Sequence, residues 1–145
     1  MTLLLSVLAA LVLLGIAALH AAWALGSTFP ARSEKELAHA VAGFALRDAM
    51  PPRAASAFVA LVLLACALWP FVMSGHILPD LPRWMAVWGG IKIAIIFSLR
   101  GVIGYMPFWR RLTPQQPFAR LDVTYYSPLC LAIALLFVIL AWSTS

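Results

Sequence analysis

The polar residues beside the long apolar segments of this sequence offer two kinds of chemistry, proton transfer and ion pairing. Asp122 with His20 is the one acid–base combination, since a carboxylate and an imidazole can exchange a proton near neutral pH. Arg100 lies near the end of an apolar segment, and a buried guanidinium needs a carboxylate partner. Asp122 is the best placed partner by topology, and Glu34 and Glu36 are the alternatives.

These residues predict one polar cluster at a single end of a helix bundle. Its members are His20, Trp23, Arg100, Asp122 and Tyr126. Trp23 is included because tryptophans collect where a helix meets the membrane–water interface. Such a cluster either binds a ligand or acts as a structural clamp that fixes the helices without one, and both uses are compatible with the sequence.

A lysine, Lys92, falls near the middle of the third apolar segment. An ionisable group inside a membrane span is costly and usually faces a bundle interior, a partner or a watery cavity. The alternative is that its long stem carries the ammonium toward the headgroups. Arg100 lies two turns later on a broadly similar face, so the two cations would line an anion path. Four spans form a thin wall for a pore, and this use would require an oligomer.

Sequence signatures of catalysis are missing. The chain has no GxSxG, HExxH or P-loop motif and no paired carboxylates in an apolar segment. Cys66 and Cys130 lack metal-ligand spacing and are interpreted as small buried hydrophobes. A haem held by His20 and His39 is an alternative, and we expect none. We therefore assign no catalytic residue, no cofactor and no metal ligand.

Composition indicates an integral membrane protein. Of 145 residues, 64% are hydrophobic and 10% are charged, whereas a soluble domain carries about 25% charged residues. In a bilayer, apolar side chains face lipid and need no water. The net charge of +5 does not indicate nucleic-acid binding, because the basic residues fall in short loops without forming a long basic face. The bilayer is the first expected partner, with anionic headgroups as a secondary contact.

Four apolar segments are long enough to cross a bilayer at about 1.5 Å per residue. They cover about residues 2–25, 52–73, 84–104 and 126–143. They predict an all-α protein, a four-helix transmembrane bundle that forms a single domain over residues 1–145. The fourth helix has two possible starts. Either Ser127 is its N-cap and Pro128 its first residue, or it starts nearer Asp122 and Pro128 is a kink.

A short amphipathic helix is predicted between the first two spans, within Ala31–Met50. Ser33 and Glu36 have the spacing of a capping box, in which each side chain satisfies a free amide of the first turn. The apolar positions that follow at helical spacing are Leu37, Val41 and Phe44. This helix is expected to lie on the membrane surface or against the bundle.

Basic residues are concentrated in two loops that share one side of a four-span bundle. They are Arg32, Lys35, Arg47, Arg53, Arg100, Arg110, Arg111 and Arg120. The opposite side carries Arg83. Because positively charged loops stay in the cytoplasm, we predict a multi-pass membrane protein with both termini outside the cytoplasm.

Several short motifs resemble a known family. They are HAAWALGS at 20–27, MPP at 50–52, LR at 99–100, FARLD at 118–122 and YSPLC at 126–130. The chain resembles the bacterial domain-of-unknown-function family numbered 3995, which consists of small four-span membrane proteins. The residues that match its motifs are His20, Trp23, Gly26, Arg100, Asp122, Tyr126, Ser127 and Pro128. Lys92 is not assigned to the family pattern. The resemblance implies the fold and a place in the bacterial inner (cell) membrane, and no activity comes with it.

The interpretation that asks least of these residues is a structural or accessory membrane protein. It would act through contact with lipid, with a protein partner or with a second copy. One alternative is an oligomeric transporter or channel for a small solute or anion that uses Lys92 and Arg100. The other is a membrane-embedded enzyme or haem-binding protein that uses His20. We expect that the protein is not an enzyme.

Overall fold

A computed structural model describes residues 2–44 and 49–144. Within these residues the chain is helical and has no strand. The α-helices are α1 (Thr2–Ala24), α2 (Glu34–Val41), α3 (Arg53–Met73), α4 (Arg83–Ile103), α5 (Pro107–Leu112), α6 (Phe118–Leu121) and α7 (Ser127–Thr144), with a π-helical segment at Asp122–Tyr126 between the last two. Arg47, counted above among the basic loop residues, lies outside the described residues.

Four helical segments are long and apolar enough to cross a membrane: α1, α3, α4 and the continuous helix Phe118–Thr144. Their outer surfaces are apolar, as Leu61 on α3 and Leu135 on α7 illustrate with 66% and 59% exposure. Such surfaces suit lipid because hydrocarbon, unlike water, does not penalise exposed apolar side chains. The predicted all-α, four-helix membrane architecture is confirmed, and the protein is a multi-pass membrane protein.

The four spans pack as two close pairs, α1 with α3 and α4 with α7, and the pairs meet mainly through α3 with α4 and α1 with α7. Thr2, Met73, Arg83 and Thr144 line one cavity, so successive spans run in opposite directions. We call the end of the bundle at this cavity the terminal end. The opposite end, which carries α2, α5 and α6, is called the loop end. The shared core consists of Leu13, Ala17, Leu63, Ala67, Val72, Met73, Ala86, Ala94, Ile133, Phe137, Leu140 and Ala141.

Small residues on α4 determine how closely α3 approaches it. A Cβ atom on Gly89 would overlap the indole ring of Trp69, and one on Gly90 would lie 2.6 Å from the sulfur of Met73. The Trp69 indole also donates a 2.9 Å hydrogen bond to the carbonyl of Ala86. Close approach through glycine allows the extensive van der Waals contact on which helix packing in membranes depends.

The amphipathic helix α2 forms where the sequence predicts it but is shorter. Ser33 is its N-cap and accepts a 3.2 Å hydrogen bond from the amide of Glu36, whose carboxylate in turn accepts one from the amide of Arg32. Leu37 and Ala38 are buried. The helix ends at Val41, so Phe44, which the apolar pattern includes in the helix, lies beyond it.

The fourth span is continuous from Phe118 to Thr144, so of the two starts that the sequence leaves open the structure has the earlier one, before Asp122. Ser127 has helical dihedral angles, and its amide donates to the carbonyl of Asp122 five residues earlier. Pro128 has no amide hydrogen, so the carbonyl five residues before it, that of Val123, lacks a partner in this register. The Tyr105 hydroxyl donates to that carbonyl at 3.2 Å, and the helix continues without a break.

Candidate functional site

An ion pair joins α4 to the fourth span at the loop end. Nη2 of Arg100 lies 2.7 Å from Oδ1 of Asp122. Asp122 is buried, whereas the Arg100 side chain is 34% exposed. The prediction that Asp122 is the carboxylate partner of Arg100 therefore agrees with the geometry. The alternatives Glu34 and Glu36 instead accept hydrogen bonds from the backbone amides of Met50 and Arg32.

Two further donors complete the surroundings of the carboxylate. Nε1 of Trp109 donates to Oδ2 of Asp122 at 3.0 Å, and the Ser127 hydroxyl donates to Oδ1 at 3.3 Å. The Arg100 guanidinium carbon also lies 5.4 Å from the centre of the Trp109 ring, within the range of a cation–π contact. Both carboxylate oxygens are thus occupied, as a buried charge requires.

Helix geometry explains how Asp122 and Ser127 reach the same place. In a regular α-helix residues five apart point in different directions, but a π-helical turn brings i and i+5 into register. On the facing helix, a Cβ atom at Gly104 would overlap the Ser127 hydroxyl and lie 3.1 Å from Oδ2 of Asp122. Gly104 therefore provides the space that the carboxylate and hydroxyl occupy.

One nitrogen of the ion pair is left without a partner. Nη1 of Arg100 is buried and has no hydrogen-bond acceptor within residues 2–44 and 49–144. An unsatisfied buried donor costs about 1–3 kcal/mol. The arrangement is therefore a nearly complete clamp between α4 and the fourth span, with one donor left open.

The remaining residues of the predicted cluster have other contacts. Nδ1 of His20 donates to the carbonyl of Ile16 at 2.9 Å, and its ring lies 4.7 Å from that of Trp23. Trp23 donates to the carbonyl of Phe29 at 2.7 Å. Among the described residues, no hydrogen bond or ring contact joins His20 or Trp23 to the ion pair.

Tyr126 lies in the π-helical segment and connects the fourth span to α2. Its hydroxyl donates to the carbonyl of Ala40 at 3.0 Å, and its ring lies 5.9 Å from the ring of Phe118. Ala40 is in the last turn of α2, where carbonyls lack an intrahelical partner. Tyr126 therefore holds α2 against the bundle, a role that is separate from the ion pair beside it.

Three residues of this end were missed by sequence reasoning: Tyr105, Trp109 and Ser127 as a carboxylate donor. Trp109 carried a usable signal, because an indole beside two arginines in a polar loop must direct its N–H to an acceptor when buried. Ser127 carried none, because its contact with Asp122 depends on the π-helical register.

Lys92 lies on a different face of α4. Eight residues of α-helix rotate Lys92 and Arg100 apart by about 80°, and Arg100 is turned toward Asp122 on the fourth span. Lys92 is exposed. It belongs to the outer stripe of α4, which we define as the exposed residues Trp84, Trp88, Lys92, Ile96 and Leu99. The buried residues Ala86, Gly90 and Ala94 occupy the opposite face.

Nothing within the described part of the chain neutralises Lys92. No hydrogen-bond acceptor or carboxylate in residues 2–44 and 49–144 contacts it. A lysine at the centre of a span costs about 2.5–3.5 kcal/mol on insertion scales. Arg100 is committed to Asp122 and Lys92 faces outward, so the two cations do not line one path within a single chain.

The ion pair of Arg100 and Asp122 is the salt bridge that the structure shows at the loop end. The described residues contain no group of three or more His, Cys, Asp or Glu side chains that could hold a metal ion. Cys66 and Cys130 are both free thiols. Among the described residues no histidine contacts Asp122, and the donors to its carboxylate are Arg100, Trp109 and Ser127.

Comparison with known proteins gives one result. The family model described as protein of unknown function (DUF3995) matches residues 4–137. No curated protein and no solved structure is significantly similar to the chain.

Proposed function

The chain belongs to the DUF3995 family of proteins of unknown function, and on this premise we propose that it is an accessory membrane protein that binds a partner protein side by side in the bilayer. The observation that carries the proposal is Lys92, a cation at mid-span on the exposed face of α4 that has no partner among residues 2–44 and 49–144. A group that is costly in lipid and unused inside the fold marks a functional position. The outer stripe of α4 is the contact surface.

The ion pair at the loop end has a supporting role in this proposal. Arg100 and Asp122 hold α4 and the fourth span in a fixed relative position, which keeps the outer stripe of α4 rigid. Both carboxylate oxygens of Asp122 already accept hydrogen bonds, which favours a structural clamp rather than a ligand-binding site. A rigid surface binds more tightly because less conformational freedom is lost on association.

The proposal includes an orientation in the membrane. The exposed arginines Arg110, Arg111 and Arg120 lie at the loop end, and Arg83 lies at the terminal end. By the positive-inside rule the loop end of the protein faces the cytoplasm, and both termini lie on the other side of the inner membrane. The arginines of the loop end then meet anionic headgroups, each contributing about 1 kcal/mol near such a surface.

Site-specific photocrosslinking in native membranes tests the contact surface. A photoreactive amino acid replaces Ile96 on the outer stripe, or Leu61 on α3 as the matched control, since the two side chains are 64% and 66% exposed. We expect a discrete protein adduct from position 96 and lipid adducts from position 61. Adding Lys92→Met should weaken the protein adduct at least about ten-fold, because the ionic contact is lost.

Two outcomes contradict the proposal. One is an adduct pattern that is the same at positions 96 and 61, which would mean that α4 faces lipid like any other span. The other is a protein adduct at position 96 that Lys92→Met leaves unchanged, because the contact would then not depend on the lysine.

A further inference from the structure

The position of Lys92 also indicates the chemistry of the partner. We infer that the partner is a different membrane protein, with a spanning helix that carries an aspartate or glutamate at the depth of Lys92 and pairs with it across the outer stripe of α4. This inference rests on the proposed function and specifies the group that the partner presents.

Lys92 lies at mid-membrane depth. At about 1.5 Å per residue, Lys92 lies about 14 Å from Arg83 and about 17 Å from Ile103, the two ends of α4. The hydrocarbon core of a bilayer is about 30 Å thick, so Lys92 is at its centre. A group that contacts the ammonium there must itself be carried to mid-membrane depth.

Few chemical groups both reach the centre of the bilayer and balance the charge of Lys92. Backbone carbonyls of spanning helices are already bonded within their own helices, and a neutral side chain does not balance the charge. A carboxylate does, and in low dielectric the attraction between the two ions is far stronger than in water. Trp88 and Ile96 stand one turn before and after Lys92 on the same face and would exclude lipid and water from the pair.

A second copy of the chain does not provide that carboxylate. The five acidic residues are Glu34, Glu36, Asp48, Asp80 and Asp122. Glu34 and Glu36 belong to α2, Asp48 falls in the sequence between α2 and α3, and Asp80 lies in the turn before α4. Asp122 is buried at the loop end and engaged by Arg100. Two parallel copies that met at this stripe would instead bring two lysines together.

A lipid phosphate fits less well. The Cα–Cβ bond of a helical residue leans toward the helix N-terminus, so the stem of Lys92 runs toward Trp88 and the terminal end. From the centre of α4, about 14 Å from Arg83, the stem covers only part of the distance to the headgroups. A lipid counter-ion is therefore treated as an outcome of the test.

The test uses the purified full-length chain in phosphatidylcholine vesicles at mildly alkaline pH. The probes are synthetic oligoleucine helices of one membrane span with Asp, Leu or Lys at the central position. Binding is measured by energy transfer between a dye on the C-terminus of the chain and a dye on the peptide. We expect the Asp peptide to bind at least about ten-fold more tightly than the Leu peptide, and the Lys peptide to bind most weakly.

Two variants of the chain check that the preference comes from Lys92. Lys92→Met should reduce binding of the Asp peptide to the level of the Leu peptide, and Lys92→Arg should keep the preference. Equal binding of Asp and Leu peptides overturns the inference, as does an Asp preference that survives Lys92→Met. Loss of the Asp preference on adding phosphatidylglycerol also overturns it, because the counter-ion would then be a lipid.

The two proposals fail in different ways. A position-96 adduct that depends on Lys92, together with peptides that show no Asp preference, leaves the proposed function standing and removes the carboxylate. A position-96 adduct that is independent of Lys92 removes the proposed function, whatever the peptides show.

Discussion

Two cations on one helix, Arg100 and Lys92, are treated in opposite ways by this fold. Arg100 is turned toward the fourth span, where Asp122 pairs with it and Trp109 contacts it from the side. Lys92 is exposed on the outer stripe and is unpaired within the described residues. One charge is used to hold the molecule together, and the other is presented to its surroundings.

The difference shows how position on a helix decides the use of a charge. The flank that carries Arg100 also carries Gly104, so α4 and the fourth span can approach closely enough for a hydrogen-bonded ion pair. The outer stripe carries tryptophans and aliphatic residues, and Lys92 finds no partner there among the residues that the structure describes. An internal ion pair stabilises one arrangement of the helices, whereas an exposed charge selects which partner the surface binds.

The largest expected effect comes from removing the paired cation. Arg100→Met leaves the Asp122 carboxylate buried with Trp109 and Ser127 as its donors, and we expect a loss of about 3 kcal/mol in the free energy of unfolding in detergent micelles. Asp122→Leu should cost less than Arg100→Met, because the partly exposed arginine can be solvated. If each variant loses less than about 1 kcal/mol, the ion pair does not hold α4 and the fourth span together.

A smaller effect should follow from closing the space on the same flank. Gly104→Ala forces the Ser127 hydroxyl and the Asp122 carboxylate to move, and overpacking of this kind costs about 1–3 kcal/mol. Gly15→Ala in α1 is the matched control, since its Cβ would meet nothing within 4 Å and alanine favours a helix by up to about 1 kcal/mol. Equal responses of the two variants in thermal unfolding would contradict the close approach of α4 and the fourth span.

A single hydroxyl should matter less again. Tyr105→Phe leaves the Val123 carbonyl without its donor, and we expect a loss of about 1 kcal/mol in the free energy of unfolding. Tyr125→Phe is the control, because Tyr125 is 63% exposed and forms no hydrogen bond within the described residues. If both variants unfold alike, the Tyr105 hydroxyl does not support the π-helical segment.

The smallest effect is expected at the unpaired cation. Lys92→Met breaks no hydrogen bond or ion pair among the described residues, so the free energy of unfolding in micelles should change by no more than about 0.5 kcal/mol. A loss comparable to that of Arg100→Met would show that Lys92 has a role inside the fold. The comparison between the two cations would then no longer hold.

Much of the architecture is predictable from the sequence because hydropathy and length alone decide it. Four long apolar segments with few charges have no stable alternative to spanning helices. The capping pattern of Ser33 and Glu36 was equally readable, because it involves residues three apart. The end of α2 at Val41 was not predicted, because the apolar pattern continues to Phe44. Gly43, which has a positive φ of 64° and donates its amide to the carbonyl of Ala38, stops the helix first.

The site was predictable only in part, for a physical reason. Arg100 with Asp122 follows from the scarcity of carboxylates, since a buried guanidinium has few partners to choose from. The contribution of Ser127 depends on a π-helical turn, which changes which residues share a face and leaves no periodic trace in the sequence. The grouping of His20 with the pair rested on topology alone, and two residues at one end of a bundle need not touch.

The 22 positions that separate Arg100 from Asp122 have a consequence for biogenesis. A ribosome adds about 5–20 residues per second, so Arg100 is synthesised about 1–4 s before Asp122. The guanidinium therefore cannot form this ion pair until the fourth span follows α4. Because α1 and α3 both precede α4 in the chain, the α1–α3 pair has all its residues before the α4–α7 pair does.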